Sequence, residues 1–403
     1  MVSMTRRSAR ATAWILAFTL GTAAAFADEA EKTRSFRHEF PAQQQELRVA
    51  NLAGRVELVR AQGNQVTVEA FVHAAGESAG ETQKLLDGMK WVRGKDGKGR
   101  EEWALSYPVD DYRGFHYPRP RKGDEDNDMP EFLSWLGNDS QTTSTYRGEK
   151  VRIYGEKRDD VPTLYANLRI GLPAGSNVVV RNVVGSVRGG NLEGTLTVDT
   201  GSGRVDIGSH AGRLTVDTGS GDVVVGSATG ETSIDTGSGD VVVRKLVGNG
   251  SMDTGSGDVT VENVSAGKLS VDTGSGDVTV RNGVVSRVQA ETGSGSVQVV
   301  GVELEELDAG TGSGDVILRS SLAKAKRVTA ETGSGDVEIF GGPQAAFDIK
   351  SSHGSGELEV RYDDAEIRKD GRRVTGARRG NGQTVIRVET GSGDCVISPR
   401  ERS

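Results

Sequence analysis

Residues 214–225 read L-T-V-D-T-G-S-G-D-V-V-V, and this short stretch decides the fold. Two runs that alternate apolar and polar residues, 214–218 and 222–225, flank a glycine turn, and such alternation is typical of β-strands. The G-S-G triplet recurs along the chain at nearly regular intervals until a wider last gap. It begins at Gly201, Gly219, Gly237, Gly255, Gly274, Gly293, Gly312, Gly333, Gly354 and Gly391.

One unit of this repeat is too small to bury an apolar face by itself, so neighbouring units must stack. Parallel stacking places like residues above like at about 4.8 Å, and glycine at the turn permits backbone conformations closed to other residues. The sequence therefore predicts an all-β protein, a parallel β-solenoid with coils of about 18–21 residues. An antiparallel meander with G-S-G hairpins fits the alternation equally well, but it does not explain why whole units are nearly identical.

The composition agrees with a fold that stacks small side chains. Of the 403 residues 56 are glycine, and only 5% are aromatic. The single cysteine, Cys395, excludes an intrachain disulfide. Cys395 takes the place that Val223 has in its own unit, so we expect it to point inward as a small hydrophobic residue rather than to act as a reactive thiol.

Residues 1–27 predict a secretory signal peptide. Three arginines precede an apolar run, and Ala25-Phe26-Ala27 is a small-residue cleavage site. The run is short for an uncleaved membrane anchor, and no later stretch has membrane length. We expect a periplasmic, extracellular or cell-surface protein without a transmembrane segment after signal cleavage. Cleavage would remove the three arginines and make the formal net charge of −8 more negative, which argues against nucleic acid as a partner.

The remaining domain boundaries follow from changes in pattern. Residues 28–45 form an N-terminal segment, and residues 46–75 are expected to form the first solenoid coils and a cap. Residues 76–150 interrupt the pattern as an aromatic-rich insertion, which we interpret as a partly disordered loop with a short helix over Thr82–Trp91. Residues 151–398 form the repeat solenoid, with a charged insertion at about 362–382.

The order of these features resembles a known family. A signal peptide, an L-x-V-x-N-x-x-G-x-V-x-V-like opening at Leu47–Val59 and a long run of T-G-S-G-D-V repeats are similar to the bacterial "putative adhesin" domain family, a domain of unknown function. The resemblance covers about residues 40–398. It implies an exported, non-catalytic β-solenoid, and it supplies no catalytic residues.

The string D-T-G-S also marks the catalytic loop of pepsin-like proteases. It occurs five times, at Asp199, Asp217, Asp235, Asp253 and Asp272. An aspartic protease needs two such loops that face each other across one cleft, whereas five copies at almost equal spacing form a line. The repetition therefore argues against proteolysis, and we predict that the protein is not an enzyme.

Calcium is a further candidate ligand. Parallel stacking aligns Asp222, Asp240, Asp258 and Asp277 as a candidate cation ladder, and like charges opposite each other in a sheet are unfavourable unless something offsets them. The alternative is that these side chains bond to the backbone of the turns. No other cofactor is predicted.

A threonine also recurs once per coil, from Thr200 and Thr218 to Thr292. An exposed row of threonines would suggest ice binding, but such faces generally need paired threonines on a strand, and these lie next to a glycine turn. The five histidines, His38, His73, His116, His210 and His353, show no metal-ligand spacing.

The aromatic insertion is the expected place for specific recognition, because Tyr and Trp stack on sugars and anchor protein partners. The alternative is that its tryptophans, Trp91, Trp103 and Trp135, only pack the insertion against the solenoid end. The candidate binding residues are Tyr107, Tyr112, Phe115, Tyr117 and Trp135.

These observations predict an exported, non-catalytic binding or structural protein. It would act as an adhesin or cell-envelope scaffold that presents a repetitive Thr/Ser/Asp surface to a protein or glycan ligand. The alternative is a sensor or regulator of envelope stress that binds a ligand or protein partner through residues 107–145. A calcium-binding solenoid is a more distant alternative.

Overall fold

The computed structural model describes residues 31–41, 46–118 and 141–399, and most of them lie in β-strands. The N-terminal part contains ten strands and one helix: β1 (Lys32–Pro41), β2 (Leu47–Ala53), β3 (Val56–Arg60), β4 (Gln65–Ala75), α1 (Ala79–Gly88), β5 (Lys90–Lys95), β6 (Glu101–Ser106), β7 (Gly114–His116), β8 (Gln141–Tyr146), β9 (Glu149–Tyr154) and β10 (Thr163–Leu172).

The repeat region follows with short strands and longer ones that run through a bend. Its first part contains β11 (Ser176–Val184), β12 (Val187–Gly189), β13 (Leu192–Ser202), β14 (Val205–Ser220), β15 (Val223–Thr229), β16 (Thr232–Thr236), β17 (Val241–Val243), β18 (Leu246–Val247), β19 (Gly250–Thr254), β20 (Val259–Thr273), β21 (Val278–Thr292) and β22 (Val297–Ser313). Its last part contains β23 (Val316–Arg319), β24 (Arg327–Ser334), β25 (Val337–Phe340), β26 (Phe347–His353), β27 (Leu358–Val360), β28 (Glu366–Asp370), β29 (Arg373–Arg379), β30 (Thr384–Thr390) and β31 (Cys395–Ser398).

Coils in the first part of the repeat have three sides, and each side pairs in parallel with the same side of the next coil. On the first side Val216 lies against Val198 and Ile234. The second side, after the G-S-G corner, aligns Val223 with Val205 and Val241. On the third side, the link, Ala228 lies between His210 and Leu246. The predicted parallel β-solenoid is confirmed, and the meander is excluded because the two runs that flank G-S-G pair with other coils and not with each other.

The interior is a narrow column of small and medium apolar side chains. In one coil Leu214, Val216, Val223, Val225 and Ala228 all point inward and are buried. Burial of a Val or Leu side chain contributes roughly 1.5–3 kcal/mol. Since each coil adds the same small set, stability depends on stacking many coils rather than on one large core.

The corner glycines are required for two different reasons. Gly221 has a φ of +140°, which residues with a side chain rarely adopt. A Cβ atom at Gly219 would lie 2.7 Å from the carbonyl oxygen of Gly201 in the preceding coil. The first glycine of the triplet is thus needed for close stacking, and the second is needed for stacking and for the bend.

At the C-terminal end the order of the coils differs from their order in the chain. β30 pairs with β24 on one edge and with β26 on the other. In the same way β31 lies between β25 and β27. The coil of residues 384–398 is therefore inserted between the coils of residues 327–340 and 347–360, although it follows both in the chain.

The N-terminal end shows the same kind of insertion. β3 lies between β10 and β12, and β2 lies between β6 and β11. Residues 47–60 thus form a coil that pairs with other strands along both of its edges. The covering layer is antiparallel, since β4 pairs with β10 and with β1.

Residues 76–118 and 141–150 are ordered elements of this N-terminal cap, so for these residues the interpretation as a loop is wrong. The helix spans Ala79–Gly88 rather than Thr82–Trp91, because Ser78 caps it by accepting the backbone N–H of Glu81 at 3.1 Å. Strands β5 and β6 pair as a hairpin, as do β8 and β9. The rest of the insertion, residues 119–140, lies outside the described residues, as does the predicted signal peptide.

The charged insertion at 362–382 forms a hairpin that covers the last coil. β28 and β29 pair with each other, and β29 pairs antiparallel with the outer edge of β26. Arg373 bonds through its guanidinium to the carbonyl oxygens of His353, Gly354 and Gly356. It thereby satisfies corner carbonyls that the next coil would satisfy elsewhere in the solenoid. No helix within the described ranges is long and apolar enough to cross a membrane.

Candidate functional site

The outer surface of the first side carries two straight rows of polar side chains. Strict alternation along the strand turns Thr215 and Asp217 outward while Leu214 and Val216 face the core. Parallel pairing in register repeats this pair in each coil, about 4.8 Å apart. One row is Thr197, Thr215, Ser233, Ser251 and Ser270, and the other is Asp199, Asp217, Asp235, Asp253, Asp272 and Glu291.

The threonine row that follows each aspartate does not belong to this surface. Thr218, Thr236 and Thr254 are buried at the corner, and the predicted threonine surface is wrong for this row. The Thr254 hydroxyl donates to the carbonyl oxygens of Gly239 at 3.1 Å and Ser256 at 3.2 Å. These threonines stabilise the G-S-G corner, so they cannot form an ice-binding face, and the exposed hydroxyls belong to the row that contains Thr215.

Two carboxylates of the acidic row, those of Asp217 and Asp272, have a raised pKa. Burial raises the pKa of Asp217, and the neighbouring Asp199 and Asp235 raise it further. The pKa of Asp272 is raised in the same way by burial and by Asp253 and Glu291. The row is therefore a line of like charges whose repulsion is only partly relieved by solvent.

The five D-T-G-S loops all lie along this one line. Their aspartates point outward from one side of the solenoid, whereas the catalytic pair of an aspartic protease faces inward across a cleft. The geometry gives no support to proteolysis.

The second aspartate of each unit forms a ladder along the G-S-G corner. The Asp240 backbone N–H donates to the Asp222 carboxylate at 3.1 Å, and that of Asp258 donates to Asp240 at 2.9 Å. The ladder continues from Asp258 to Asp277 at 2.8 Å. Each carboxylate thus accepts a hydrogen bond from the coil above, which offsets the like charges without a cation.

The predicted cation ladder has no cage of ligands around it. Among the residues that the structure describes, no group of three or more His, Cys, Asp or Glu side chains is arranged to hold a metal ion. Burial raises the pKa of Asp222, which is only 8% exposed, against the effect of its hydrogen bond from Asp240. Calcium binding by Asp222, Asp240, Asp258 and Asp277 stays a prediction, and the geometry favours their role in the turn.

Two of the predicted aromatic binding residues lie inside the N-terminal cap. Tyr107 and Phe115 are 3% and 0% exposed, and the Tyr107 ring packs against the rings of Phe115 and Tyr146. The Tyr107 hydroxyl donates to the Asn51 side chain at 2.9 Å, and burial raises the pKa of Tyr107. Neither Tyr107 nor Phe115 presents its ring to solvent, so their assignment as binding residues is wrong in this structure.

The hydroxyl of the buried Tyr107 lies at the N-terminal end of a row of buried polar side chains at the corner, which begins with Asn51. Asn51 donates to the Asn182 side chain at 3.0 Å, and Asn182 donates to the Gly54 carbonyl oxygen at 2.8 Å. In the stack Asn51 and Asn182 occupy the place that Thr200 takes in the following coil. The side chains of Asn51 and Asn182 therefore donate hydrogen bonds to corner carbonyl oxygens in the first two coils, as the buried threonines do in later coils.

Tyr112 and Tyr117 are half-buried, and Trp135 lies outside the described residues. Tyr112 borders a small cleft of about 70 Å³ together with Glu81, Lys157 and Pro162. Tyr117 packs against Tyr165, with ring centroids 5.2 Å apart.

An exposed aromatic face on the N-terminal cap was missed by sequence reasoning. Phe71 is 44% exposed on the outer surface of β4. On the same surface His73 stacks on Tyr165 with a centroid distance of 4.7 Å, and Tyr165 contacts Tyr117. The sequence contains the pattern that predicts this face. Apolar residues that point inward alternate along β4 with residues that point outward, and Phe71 and His73 are among the outward ones. The inward residues are Val66, Val68, Ala70 and Val72. We call Phe71, His73, Tyr117 and Tyr165 the aromatic face.

Cys395 and His210 are interior residues. Cys395 is fully buried, as its place in the repeat predicts, and burial raises its pKa to about 12. His210 lies in the third-side column, where its Nε2 atom is 3.1 Å from the carbonyl oxygens of Gly194 and Arg213. Burial lowers the pKa of His210. These environments are those of packed residues.

Comparison with known proteins finds one family model that matches part of the repeat region. A family model described as "Toastrack DUF4097" matches residues 234–398. This is a domain of unknown function with the same β-solenoid architecture. None of the curated proteins matches the sequence.

Two solved structures align with most of the chain at very low similarity. A protein of Clostridium sporogenes, described as a "putative cell adhesion protein", is 9% identical over 92% of this chain and 99% of its own, with a TM-score of 0.18. A "putative lipid binding protein" of Parabacteroides distasonis is 10% identical over 91% of this chain and 96% of its own, with a TM-score of 0.34. Neither likeness carries an argument about function.

Proposed function

We propose that this protein is an exported, non-catalytic adhesin or cell-envelope scaffold that binds its ligand along the first side of the solenoid. The observation that supports this proposal is the pair of outward rows, one of hydroxyls and one of carboxylates. The pair formed by Thr215 and Asp217 recurs in register on at least five successive coils, from Thr197 and Asp199 to Ser270 and Asp272.

A rigid row of identical groups suits a ligand that itself repeats. Each hydroxyl–carboxylate pair offers a donor and an acceptor to a sugar or a peptide backbone, and one such exposed contact is weak. Several contacts in fixed register act together through effective concentration. A glycan or an extended protein segment of the envelope fits this surface, whereas the acidic charge disfavours nucleic acid.

The test compares binding of the purified protein to cell envelopes with binding of two matched quadruple variants. The first replaces the first-side aspartates by asparagine: Asp217→Asn, Asp235→Asn, Asp253→Asn and Asp272→Asn. The control removes the same charge from outward positions of the second side: Glu57→Gln, Asp206→Asn, Glu338→Gln and Glu359→Gln. We expect loss of binding only with the first variant. Equal binding by both variants and the parent would refute a role for this surface.

A second candidate function is a sensor or regulator that recognises a ligand or protein partner through the N-terminal cap. It is favoured by the exposed aromatic face, where Phe71 lies on the same strand surface as His73, which stacks on Tyr165, because aromatic rings commonly anchor protein partners. Phe71→Ser should then abolish capture of an envelope partner while the quadruple first-side variant retains it. The reverse result would favour the adhesin.

A further inference from the structure

The insertion of the coil of residues 384–398 has a consequence for how the chain associates. The two coils that enclose it, residues 327–340 and 347–360, both precede it in the chain. Both walls of the space between them, which we call the slot, are thus supplied by chain that precedes the segment. In the middle of the repeat, by contrast, each coil stacks on the one before it, as Val259–Thr273 and Val278–Thr292 do.

We propose that the slot is a strand-acceptor site, which residues 384–398 leave without global unfolding and which accepts the same segment from a second copy of this chain. This inference does not depend on the proposed binding role. It rests on four features of the slot.

The first feature is how the slot recognises its occupant. Ile386 packs in register between Val328 and Ile349, and Cys395 packs between Val337 and Leu358. The inward side chains of Val388 and Ile397 are buried in the same column. Backbone ladders run along both edges of the segment, and Asp394 forms corner hydrogen bonds to both enclosing coils. An identical segment of a second copy makes identical contacts, which is why exchange of such an element is a low-cost route to association.

The second feature is a strict steric filter. A Cβ atom at Gly391 would lie 2.3 Å from the Gly333 carbonyl oxygen, and one at Gly393 would lie 1.6 Å from that of Gly335. The slot therefore requires the G-S-G sequence at one register. It also requires inward apolar residues on both flanks, as in T-V-I-R-V-E-T-G-S-G-D-C-V-I-S.

The third feature is a hinge before the segment. Gly380 and Gly382 have φ values of +61° and +68°, and only Asn381 and Gln383 separate them from each other and from β30. On the near side Arg379 is anchored to Asp364 by an ion pair of 2.6 Å. The hairpin can thus stay in place while the backbone after Arg379 changes direction.

The fourth feature is that the slot can close when it is empty. Gly354 follows Gly333 at the same spacing in the chain as Gly333 follows Gly312, so the two enclosing coils have the offset of direct neighbours. Direct stacking of the coil of residues 347–360 on that of residues 327–340 would pair Val328 with Ile349. Since such apolar pairs replace those lost with the segment, release costs less than opening a coil in the middle of the solenoid.

Cys395 is a built-in reporter of release, because it is the only cysteine of the chain and is fully buried in the segment. Its reaction with a disulfide reagent under native conditions measures how often the segment leaves. The control carries Cys395→Val and Val278→Cys, which places a thiol at the same inward position in the middle of the repeat. We expect Cys395 to react at least 100-fold faster than the thiol introduced at position 278. Equal rates would mean that both thiols react only through global unfolding, and would overturn the proposal.

Acceptance of a second segment is tested on the full chain with a fluorescent peptide of residues 384–398 that carries Cys395→Val, since valine occupies the same place at Val337. The control peptide adds Gly391→Ala and Gly393→Ala. We expect the first peptide to bind and to accelerate the reaction of Cys395 severalfold, and the control to do neither. Absence of binding, or binding without a change at Cys395, would contradict a strand-acceptor site.

Discussion

The backbone N–H of Asp394 donates to the Asp336 carboxylate at 2.8 Å, although the two residues are 58 positions apart in the chain. Asp394 in turn accepts the backbone N–H of Glu357 at 3.0 Å. The aspartate ladder therefore runs from 336 to 394 to 357 and records the stacking order of the coils rather than their order in the chain. It also shows what the corner aspartates do, since each one links its own coil to the next.

The ladder predicts which substitutions the corner tolerates. Ser296 takes the place of an aspartate in one coil, and its hydroxyl accepts the Asp315 N–H at 3.3 Å. We expect Asp258→Ser to change the free energy of unfolding little. Asp258→Leu should lower it by about 1–3 kcal/mol, because the Asp277 N–H loses its partner. Chemical denaturation of the two variants and the parent measures the difference.

The same ladder bears on calcium. Because the hydrogen bonds from the coil above already offset the carboxylate charges, we expect the melting temperature of the purified protein to be the same in EDTA and in excess calcium. A rise with calcium that Asp240→Ser and Asp258→Ser together abolish would instead show a cation on the ladder.

The two kinds of glycine on one strand predict opposite effects of alanine. A Cβ atom at Gly312 would lie 2.6 Å from the Gly293 carbonyl oxygen, whereas at Gly310 the nearest atom is 4.0 Å away on the Glu291 side chain. Gly312→Ala should destabilise by about 1–3 kcal/mol, as overpacking does. Gly310→Ala should be neutral or stabilise by up to about 1 kcal/mol by restricting the unfolded chain.

Thermal unfolding of the Gly312→Ala and Gly310→Ala variants tests whether contact with the preceding coil is the reason that glycine is required. A similar loss at both positions would show that the backbone conformation of the strand, rather than contact with the preceding coil, limits the residue type.

The buried threonines predict a further contrast. Thr254→Val keeps the shape of the side chain but leaves the Gly239 and Ser256 carbonyl oxygens without this donor, so it should cost roughly 1 kcal/mol. Thr260→Val, at an outward position of the second side, should change stability by less than about 0.5 kcal/mol. If the two variants were equally stable, the corner hydroxyls would not contribute to the fold.

How much of this arrangement could be predicted from the sequence depends on the range of the interactions. Alternation along a strand is local, so it predicted that Val216 and Cys395 point inward. The same alternation places Thr218 on the inward side of the strand with Val216. The burial of the threonine row was therefore predictable from the sequence, and its prediction as an exposed surface was wrong. Stacking order is not local, because the coils are interchangeable in pattern and only pairing across tens of residues distinguishes them.

The N-terminal cap was the least predictable part for the same reason. β4 pairs with β10 across almost one hundred residues, and the parallel contact of β2 with β6 leaves no periodic trace in the sequence. The burial of Tyr107 could not be predicted because its role, a hydrogen bond to Asn51, depends on that contact.

The acidic row predicts a dependence of stability on pH. Burial and the charges of Asp199 and Asp235 raise the pKa of Asp217, so the folded protein binds this proton more tightly than the unfolded chain does. Stability is therefore gained as the pH falls through the folded-state pKa, and at neutral pH the ionised carboxylate of Asp217 destabilises the folded protein. Asp217→Asn should stabilise the protein at pH 7 by a few tenths to about 1 kcal/mol, and this gain should vanish in acid, where the parent carboxyl is protonated.

Asp364 is the matched control with the opposite sign. Its hydrogen bond from Arg379 lowers the pKa of the carboxyl, so its contribution is present at neutral pH and is lost as the pH falls through the folded-state pKa. Asp364→Asn should therefore destabilise at pH 7. Carboxyl-carbon NMR titration should place the pKa of Asp217 above, and that of Asp364 below, the value of a free aspartate. If both titrated at the free value, the repulsion along the row would be fully screened by solvent, and the stabilisation by Asp217→Asn would have to be absent as well.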